Sequence, residues 1–318
     1  MPPKPTVPVK RSTPERPPGR HDRVTVRFWG VRGSIPTPGP TTIEYGGNTS
    51  CVEVRCGGET VILDAGTGIR SLGAKLVAES IDRPLSLTIL LTHTHWDHIQ
   101  GFPFFQPAYL AKNRIRVIGA KGAKRGLASV LNSQMESPFF PVGLKDLPSS
   151  LSIEELKKEP FSLGPITVSS IRVNHPGRCV GYRLFTPYGS VGYFPDNELA
   201  SRLPASVPVR LADRQFANFI RQCDVLIVDT QYDESEYPAH AGWGHGCLDD
   251  VIRVCARSKV KRCYLFHHDP NHSDGRIRAM LQHARRLART FGTGMIVEAA
   301  REGDEIVMRE PATTCAVP

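Results

Sequence analysis

Three imidazoles and a carboxylate fall within six residues, His93-Thr94-His95-Trp96-Asp97-His98. Imidazole nitrogen and carboxylate oxygen are the donors that borderline ions such as Zn²⁺, Mn²⁺ and Fe²⁺ prefer. The cluster directly follows residues 85–92, a short apolar run of strand character. Residues two apart on an extended segment face the same way, so His93 and His95 can share one ion. Asp97 and His98 sit on the turn that follows and can serve a second ion beside it. A surface loop can be histidine-rich by chance, but an HxHxDH pattern closing an apolar strand points to a metal site.

The elements that must hold this segment can be read from periodicity. Residues 24–29, 51–55, 60–63, 114–118, 166–173, 180–185, 190–194, 225–229 and 263–266 read as strands, and 71–78 and 124–131 as helices. Leu248, Val251, Ile252 and Cys255 mark another helix, and Ile277, Met280, Leu281, Ala284 and Leu287 a further one. Residues 139–150, rich in Pro, Phe, Gly and Ser, read as a long loop. Strands followed by helices, twice over, predict an α/β fold of two sheets with helices packed outside.

The histidine segment resembles the signature of the metallo-β-lactamase superfamily, over roughly residues 24–309. That resemblance implies an αββα sandwich of two mixed β-sheets flanked by helices, and two divalent metal ions. It also implies further ligands at later strand ends: a third histidine, a bridging aspartate and a last histidine. His175 in Asn-His-Pro-Gly matches the third histidine, and Asp196 in Phe-Pro-Asp-Asn the bridging carboxylate. His267 and His268 compete for the last place, and His267 is preferred because it directly ends an apolar run. The implied metal ligands are thus His93, His95, Asp97, His98, His175, Asp196 and His267. Zn²⁺ is the first expectation for the ions, with Mn²⁺ or Fe²⁺ as alternatives. Two ions bridged by Asp196 would share a water, and coordination lowers the pKa of water from about 15.7 to about 7, so that a hydroxide nucleophile exists at neutral pH.

Within the superfamily, Gly181-Tyr182-Arg183 after the third histidine is similar to the ribonuclease Z-like enzymes. So are Asp229-Thr230-Gln231-Tyr232 and Gly244-His245-Gly246, which lie in order between Asp196 and His267. The resemblance gives catalytic roles to Asp97, His245 and Asp229, with Asp229 holding His245 protonated to serve the departing oxygen. An alkoxide leaving group needs a general acid more than a lactam or thioester does. Ribonuclease Z carries a long tRNA-gripping arm between the third histidine and the bridging aspartate. Here that interval is 21 residues, filled by two strands, with no room for the arm. A small, cyclic phosphodiester (a cyclic nucleotide or cyclic phosphate) is therefore the expected substrate. The alternatives are an RNA endonuclease, a thioesterase or lactonase, and an iron-dependent oxidoreductase. The family further implies a homodimer.

Other residues carry smaller expectations. Asp64 in Leu-Asp-Ala-Gly-Thr-Gly resembles the family's supporting aspartate. Gly46-Gly47-Asn48-Thr49-Ser50 reads as a turn between strands, Trp96 as packing, and His21, His240, His272 and His283 as surface residues. Phe139 and Phe140 either stack on a substrate base or anchor their loop.

Composition bounds the rest. The chain has 318 residues, 40% hydrophobic and 22% charged, with a net charge of +9. That balance suits a phosphate-bearing partner without specifying one. Residues 1–23 hold seven prolines and a net charge of +4, too little apolar matter to repay ordering, and read as a flexible tail before a hydrolase domain at 24–318. A chain beginning at Val24 should keep its turnover within about tenfold, or ~1.4 kcal/mol of barrier, in a steady-state assay. No run approaches the ~18–20 apolar residues of a membrane span, and no apolar signal core opens the chain. The eight cysteines form no CxxC pair, so the cytoplasm is the expected compartment and a thiolate zinc site is not expected.

Overall fold

Val225–Asp229 is buried along its whole length, and its alternation explains the layering. Val225 and Ile227 face one apolar cluster while Leu226 and Val228 face another, as the two-residue period of a strand requires. A strand apolar on both faces needs cover on both sides. A second sheet supplies one cover and helices the other.

The structure, a computed structural model, describes residues 23–120, 125–156 and 159–309. Nearly all of the Pro-rich tail, His21 included, and residue 124 at the expected start of a helix lie outside them. The first half runs β1 (Val24–Gly30), β2 (Cys51–Cys56), β3 (Glu59–Leu63), α1 (Ile69–Glu79), β4 (Ser86–Leu91), α2 (Trp96–Ile99), β5 (Arg114–Gly119), α3 (Leu127–Ser133) and β6 (Ser150–Glu155). The second runs β7 (Phe161–Leu163), β8 (Ile166–Arg172), β9 (Val180–Thr186), β10 (Gly189–Phe194), α4 (Asp213–Phe219), β11 (Val225–Asp229), α5 (Leu248–Arg257), β12 (Arg262–Phe266), α6 (Asp274–Thr290), β13 (Ile296–Ala299) and β14 (Glu305–Met308).

Among the described residues the strands form two sheets, ordered β14-β1-β2-β3-β4-β5-β6 and β13-β12-β11-β10-β9-β8-β7. Pairing is antiparallel from β14 to β3 and parallel from β3 to β6. In the other sheet it is antiparallel from β7 to β10 and parallel from β10 to β13. Phe28, Leu90, Tyr182, Tyr193, Ile227 and Phe266 share the layer between the sheets. Leu72 and Leu76 of α1 and Leu131 of α3 cover the first sheet from outside. Val251, Ile252 and Cys255 of α5, with Ile277, Leu281 and Ala284 of α6, cover the second. The expected αββα sandwich is the observed fold, and both periodic helices bury the residues that marked them, save Leu287, which is partly buried.

Among the described residues, β6, β7, β13, β14, α4 and the single turn of α2 were not expected as elements from the sequence. β6 begins at Ser150, where the Pro- and Phe-rich loop was read to end, and its partly exposed residues lack the apolar run of an interior strand. β7, β13 and β14 have three or four residues each, too few for a period to register. α4 buries only Phe216. No described helix is long and apolar enough to cross a membrane.

Candidate metal centre and active site

The parallel strands of both sheets bring their carboxyl ends to one edge, the usual place for a site in such sheets. β3 leads into Asp64, β4 towards His93 and β10 towards Asp196, β11 ends on Asp229, and β12 leads into His267. His95 is extended (φ −65, ψ 153) and caps α2, so His93 and His95 leave an extended segment while Asp97 and His98 ride the following helical turn. This is the division the spacing predicts.

The seven expected ligands converge. Donor atoms of His93, His95 and His175 lie within 4.8 Å of one another, as do those of Asp97, His98 and His267. His175 Nε2 is 3.0 Å from His95 Nδ1. His98 Nε2 and His267 Nε2 each lie 3.1 Å from Asp97 Oδ2. Asp196 sits between the groups: its Oδ2 is 3.1 Å from His98 Nε2, and its Oδ1 is 3.4 Å from His267 Nε2 and 3.8 Å from His175 Nε2. His268 stays apart, with Nε2 donating to the Ala300 carbonyl at 2.9 Å.

The donor set fits divalent cations. His93 Nε2, His98 Nε2 and Asp196 Oδ2 are buried and in hydrogen-bond geometry with nothing. Each such orphan costs about 1–3 kcal/mol, a cost that a cation among them would offset. Burial holds His93 and His95 below the ordinary imidazole range and takes His175 down to about 3, which leaves neutral rings with free lone pairs. Burial would raise Asp97 and Asp196, but His98 and His267 outweigh it and hold both carboxyls well below the usual range. Burial would likewise lower His267, yet Asp196 and Asp97 lift it to about 9. The neutral His93, His95 and His175 rings and the ionised carboxylates already have the ligand forms a metal takes, whereas His98, lifted like His267 by the carboxylates around it, would with His267 give up a proton to the ion.

The outward nitrogens of His93, His98, His175 and His267 are each held. His98 Nδ1 donates to Asp64 Oδ2 at 2.8 Å. Thr92 Oγ1, 3.1 Å from His93 Nδ1, donates to Asp64 Oδ2 at 2.9 Å. Asp64 is fully buried, with φ +60, and also accepts from the Tyr193 hydroxyl of the opposite sheet at 2.9 Å. His267 Nδ1 donates to Gln231 Oε1 at 2.9 Å, and Gln231 donates on to Asp269. His175 Nδ1 donates to the Gly244 carbonyl at 3.0 Å. Such outer contacts fix ring orientation, and losing one costs roughly 10–100-fold in metal affinity. Asp64→Asn should show a loss of that size in a competition titration with a chelating dye, with the fold unchanged by circular dichroism. The Ser34 amide donates to Asp97 Oδ2 at 2.8 Å. A Cβ at Gly33 would come within 2.4 Å of the His267 ring, so only glycine lets this loop pass.

His245 lies beside the cluster, its ring stacked on His267 at 5.1 Å. Its Nδ1 donates to Asp229 Oδ2 at 2.9 Å, which leaves Nε2 for the cavity. That cavity, about 490 Å³, is lined by five of the candidate ligands, His95, Asp97, His175, Asp196 and His267, together with Ser34, Thr94, Trp96 and His245. Burial pushes the Asp229 carboxyl up, and His245 opposes that shift.

Several smaller expectations change. Trp96 is not packing: it is 78% exposed at the cavity rim. His272 is not a surface residue but is buried against Glu236 at 2.8 Å, and half-buried His240 stacks on Tyr232 at 4.0 Å. Partly exposed His283 pairs with Asp249. Phe140 anchors its loop edge-on to Phe104, whereas Phe139 is exposed. Residues 46–50 connect β1 to β2 as an irregular segment rather than the expected turn, with Thr49 bridged to Arg32 and tied to the Asp64 loop through Thr67. Gln231 stood inside a quoted motif, but its hold on His267 had no sequence signal. Glu198, buried next to the bridging aspartate, was missed as well.

Residues 59–268 match the profile of the Beta-lactamase superfamily domain, and the chain belongs to that superfamily. It has the metallo-β-lactamase fold. It is 22% identical over 302 residues to a protein named Ribonuclease Z from Thermoplasma acidophilum, covering 83% of this chain and 91% of that relative. Among solved structures, the metallo-beta-lactamase fold protein YhfI from Bacillus subtilis aligns with a TM-score of 0.64 at 17% identity, over 90% of this chain and 100% of that one. Unliganded yeast PDE1 aligns with a TM-score of 0.66 at 15% identity, over 91% and 99%.

Proposed function

We propose that residues 24–318 form a two-metal phosphodiesterase acting on a small, cyclic phosphodiester. The observation that carries this reading is the His245–Asp229 pair, held at 2.9 Å beside the seven converging donors. His93, His95 and His175 would hold one ion, Asp97, His98 and His267 the other, with Asp196 between them. When bound, Zn²⁺, Mn²⁺ or Fe²⁺ supplies Lewis-acid chemistry, neutralising charge on phosphoryl oxygens and making water acidic enough to ionise near neutral pH.

The chain's own residues do the rest. Asp229 accepts the Nδ1 proton of His245 and so fixes the ring, with Nε2 turned to the cavity. His245 delivers its Nε2 proton to the departing alkoxide oxygen, which would otherwise leave as a strong base. Asp97 takes part as ligand and catalytic carboxylate together. The volume of about 490 Å³ falls in the range of small-ligand sites. The interval from His175 to Asp196 holds only β9, β10 and their turns, which supports a small substrate over a gripped tRNA.

The names of the sequence relatives favour a second reading, an RNA diester. One screen separates the two: cyclic mononucleotides, cyclic dinucleotides, bis(p-nitrophenyl) phosphate and a tRNA precursor, each with defined Zn²⁺, Mn²⁺ or Fe²⁺. Turnover of the cyclic diesters is the expected result. Cleavage of the precursor alone would replace the first reading by the second. No turnover of any of these diesters with metal bound would overturn both.

A further inference from the structure

Two residues beyond the bridging aspartate, Glu198 is fully buried. Its two carboxyl oxygens accept three hydrogen bonds. Oε1 takes the Gly242 amide at 2.8 Å and the Tyr237 hydroxyl, and Oε2 takes the Gly244 amide at 2.8 Å. Burial and the Glu198 carboxyl both raise the Tyr237 hydroxyl, so it stays a donor. From behind, Glu198 is fixed through its own backbone: its amide donates to the Asn174 carbonyl at 3.0 Å, and Asn174 Nδ2 returns a bond to the Glu198 carbonyl at 2.9 Å. Asn174 precedes His175 in the chain, so this backing belongs to the same body as the metal donors.

The loop on the other side of the clamp makes one backbone bond of its own, from the Trp243 amide to the His240 carbonyl at 3.0 Å. Gly242 and Gly244 have φ of +88 and +91, a conformation in which neither amide joins a helix or sheet ladder. A Cβ at Gly244 would come within 2.5 Å of His175 Nδ1, so the loop lies hard against that ring. Gly244 adjoins His245 in the chain, and its carbonyl receives the His175 proton. Trp243, between the two clamped amides, is 58% exposed and packs edge-on to His240 at 4.9 Å.

We infer that Glu198 is a positioning residue that holds the 242–245 loop, and through it His245 Nε2, against the metal centre. This rests on the proton-donor role proposed for His245. Glu198 touches no reacting atom. Its two oxygens meet two backbone N–H groups, a pattern that only a group with two acceptor atoms satisfies. In Glu198→Gln the volume is kept, but the amide nitrogen sets a donor against one of those N–H groups. The loop must then shift, and a displacement near 1 Å at a catalytic group costs up to about 10²-fold in rate.

The test compares wild type, Glu198→Gln and Tyr237→Phe at matched metal content. Hydrogen exchange at the Gly242 and Gly244 amides is read alongside rates on an alkyl diester and on a nitrophenyl diester. In Glu198→Gln both amides should exchange at least about tenfold faster. The alkyl diester should slow by roughly 10–100-fold, and the nitrophenyl diester, which needs little protonation, far less. Tyr237→Phe, which removes only the hydroxyl on Oε1, should give a smaller change of the same kind, biased to Gly242. It supplies the answer if Glu198→Gln does not fold. Unchanged exchange at both amides would overturn the clamp, and equal losses on the two diesters would overturn its catalytic purpose. Should His245→Ala itself fail to distinguish the diesters, the proton-donor role falls, while the exchange data still decide whether Glu198 holds the loop.

Discussion

Asp196→Ala should strip the protein of metal and of turnover together. Asp196 stands between both donor groups, with Oδ2 toward His98 and Oδ1 toward His267 and His175, so neither proposed ion keeps its full set without it. The expected fall in rate is on the order of 10³ or more, because losing one preorganised electrostatic stabiliser already costs roughly 10²–10³. Metal analysis after dialysis should give less than half the wild-type content. Stability supplies a second readout. A ligand at 100 times its Kd stabilises the folded state by about 2.7 kcal/mol, so a chelator should lower the wild-type Tm and leave that of Asp196→Ala nearly unmoved. His95→Ala should lose metal as well, with the loss centred on the His93, His95 and His175 group. Full metal content with ordinary turnover in either variant would refute the ligand assignment.

His245→Ala should behave in the opposite way, keeping metal while losing rate on one class of substrate. Nδ1 is engaged by Asp229, and the ring stacks beside His267; its donor groups with those of Asp196, Asp229 and His267 rather than with either proposed three-donor set. Removing a general acid costs about 10²–10⁴ when the leaving oxygen is an alkoxide. A nitrophenolate leaves with little protonation, so its diester should be spared most of that loss. Asp229→Asn should repeat the pattern more mildly, since the amide still accepts from Nδ1 but no longer balances a charged ring. Equal losses on both diesters would assign His245 to binding or folding. A fall in metal content would make it a ligand.

The parts of this site that were legible in the sequence share one property: the information is local. His93 to His98 announce themselves because a strand ends and donors follow within six residues. The periodic apolar residues of α5 and α6 predicted buried faces because each helix reports its own face. His175, Asp196 and His267 were found only through order and resemblance, since nothing in the residues beside Asp196 says that it meets His98 across the sandwich. Glu198 was invisible for the same reason, its partners being amides 44 and 46 residues away. Trp96 was misjudged because an indole is usually buried, and the reason for its exposure lies in the cavity rather than in its neighbours along the chain. His272 was misjudged in reverse, since its burial depends on Glu236, 36 residues upstream.

The two halves of the chain each bring an incomplete share of the donors. His93, His95, Asp97 and His98 belong to the first sheet, His175, Asp196 and His267 to the second, and the Tyr193 hydroxyl reaches across to the Asp64 carboxyl that steadies both His98 and Thr92. Metal uptake is therefore a gauge of how the sheets have docked. During refolding, tight binding should lag behind the recovery of secondary structure, because contacts between distant segments form late. A substitution that lets one layer slip along the other would erode catalysis before it erodes the fold. Selection acting on the chemistry would thereby police the packing of an interface that no substrate touches.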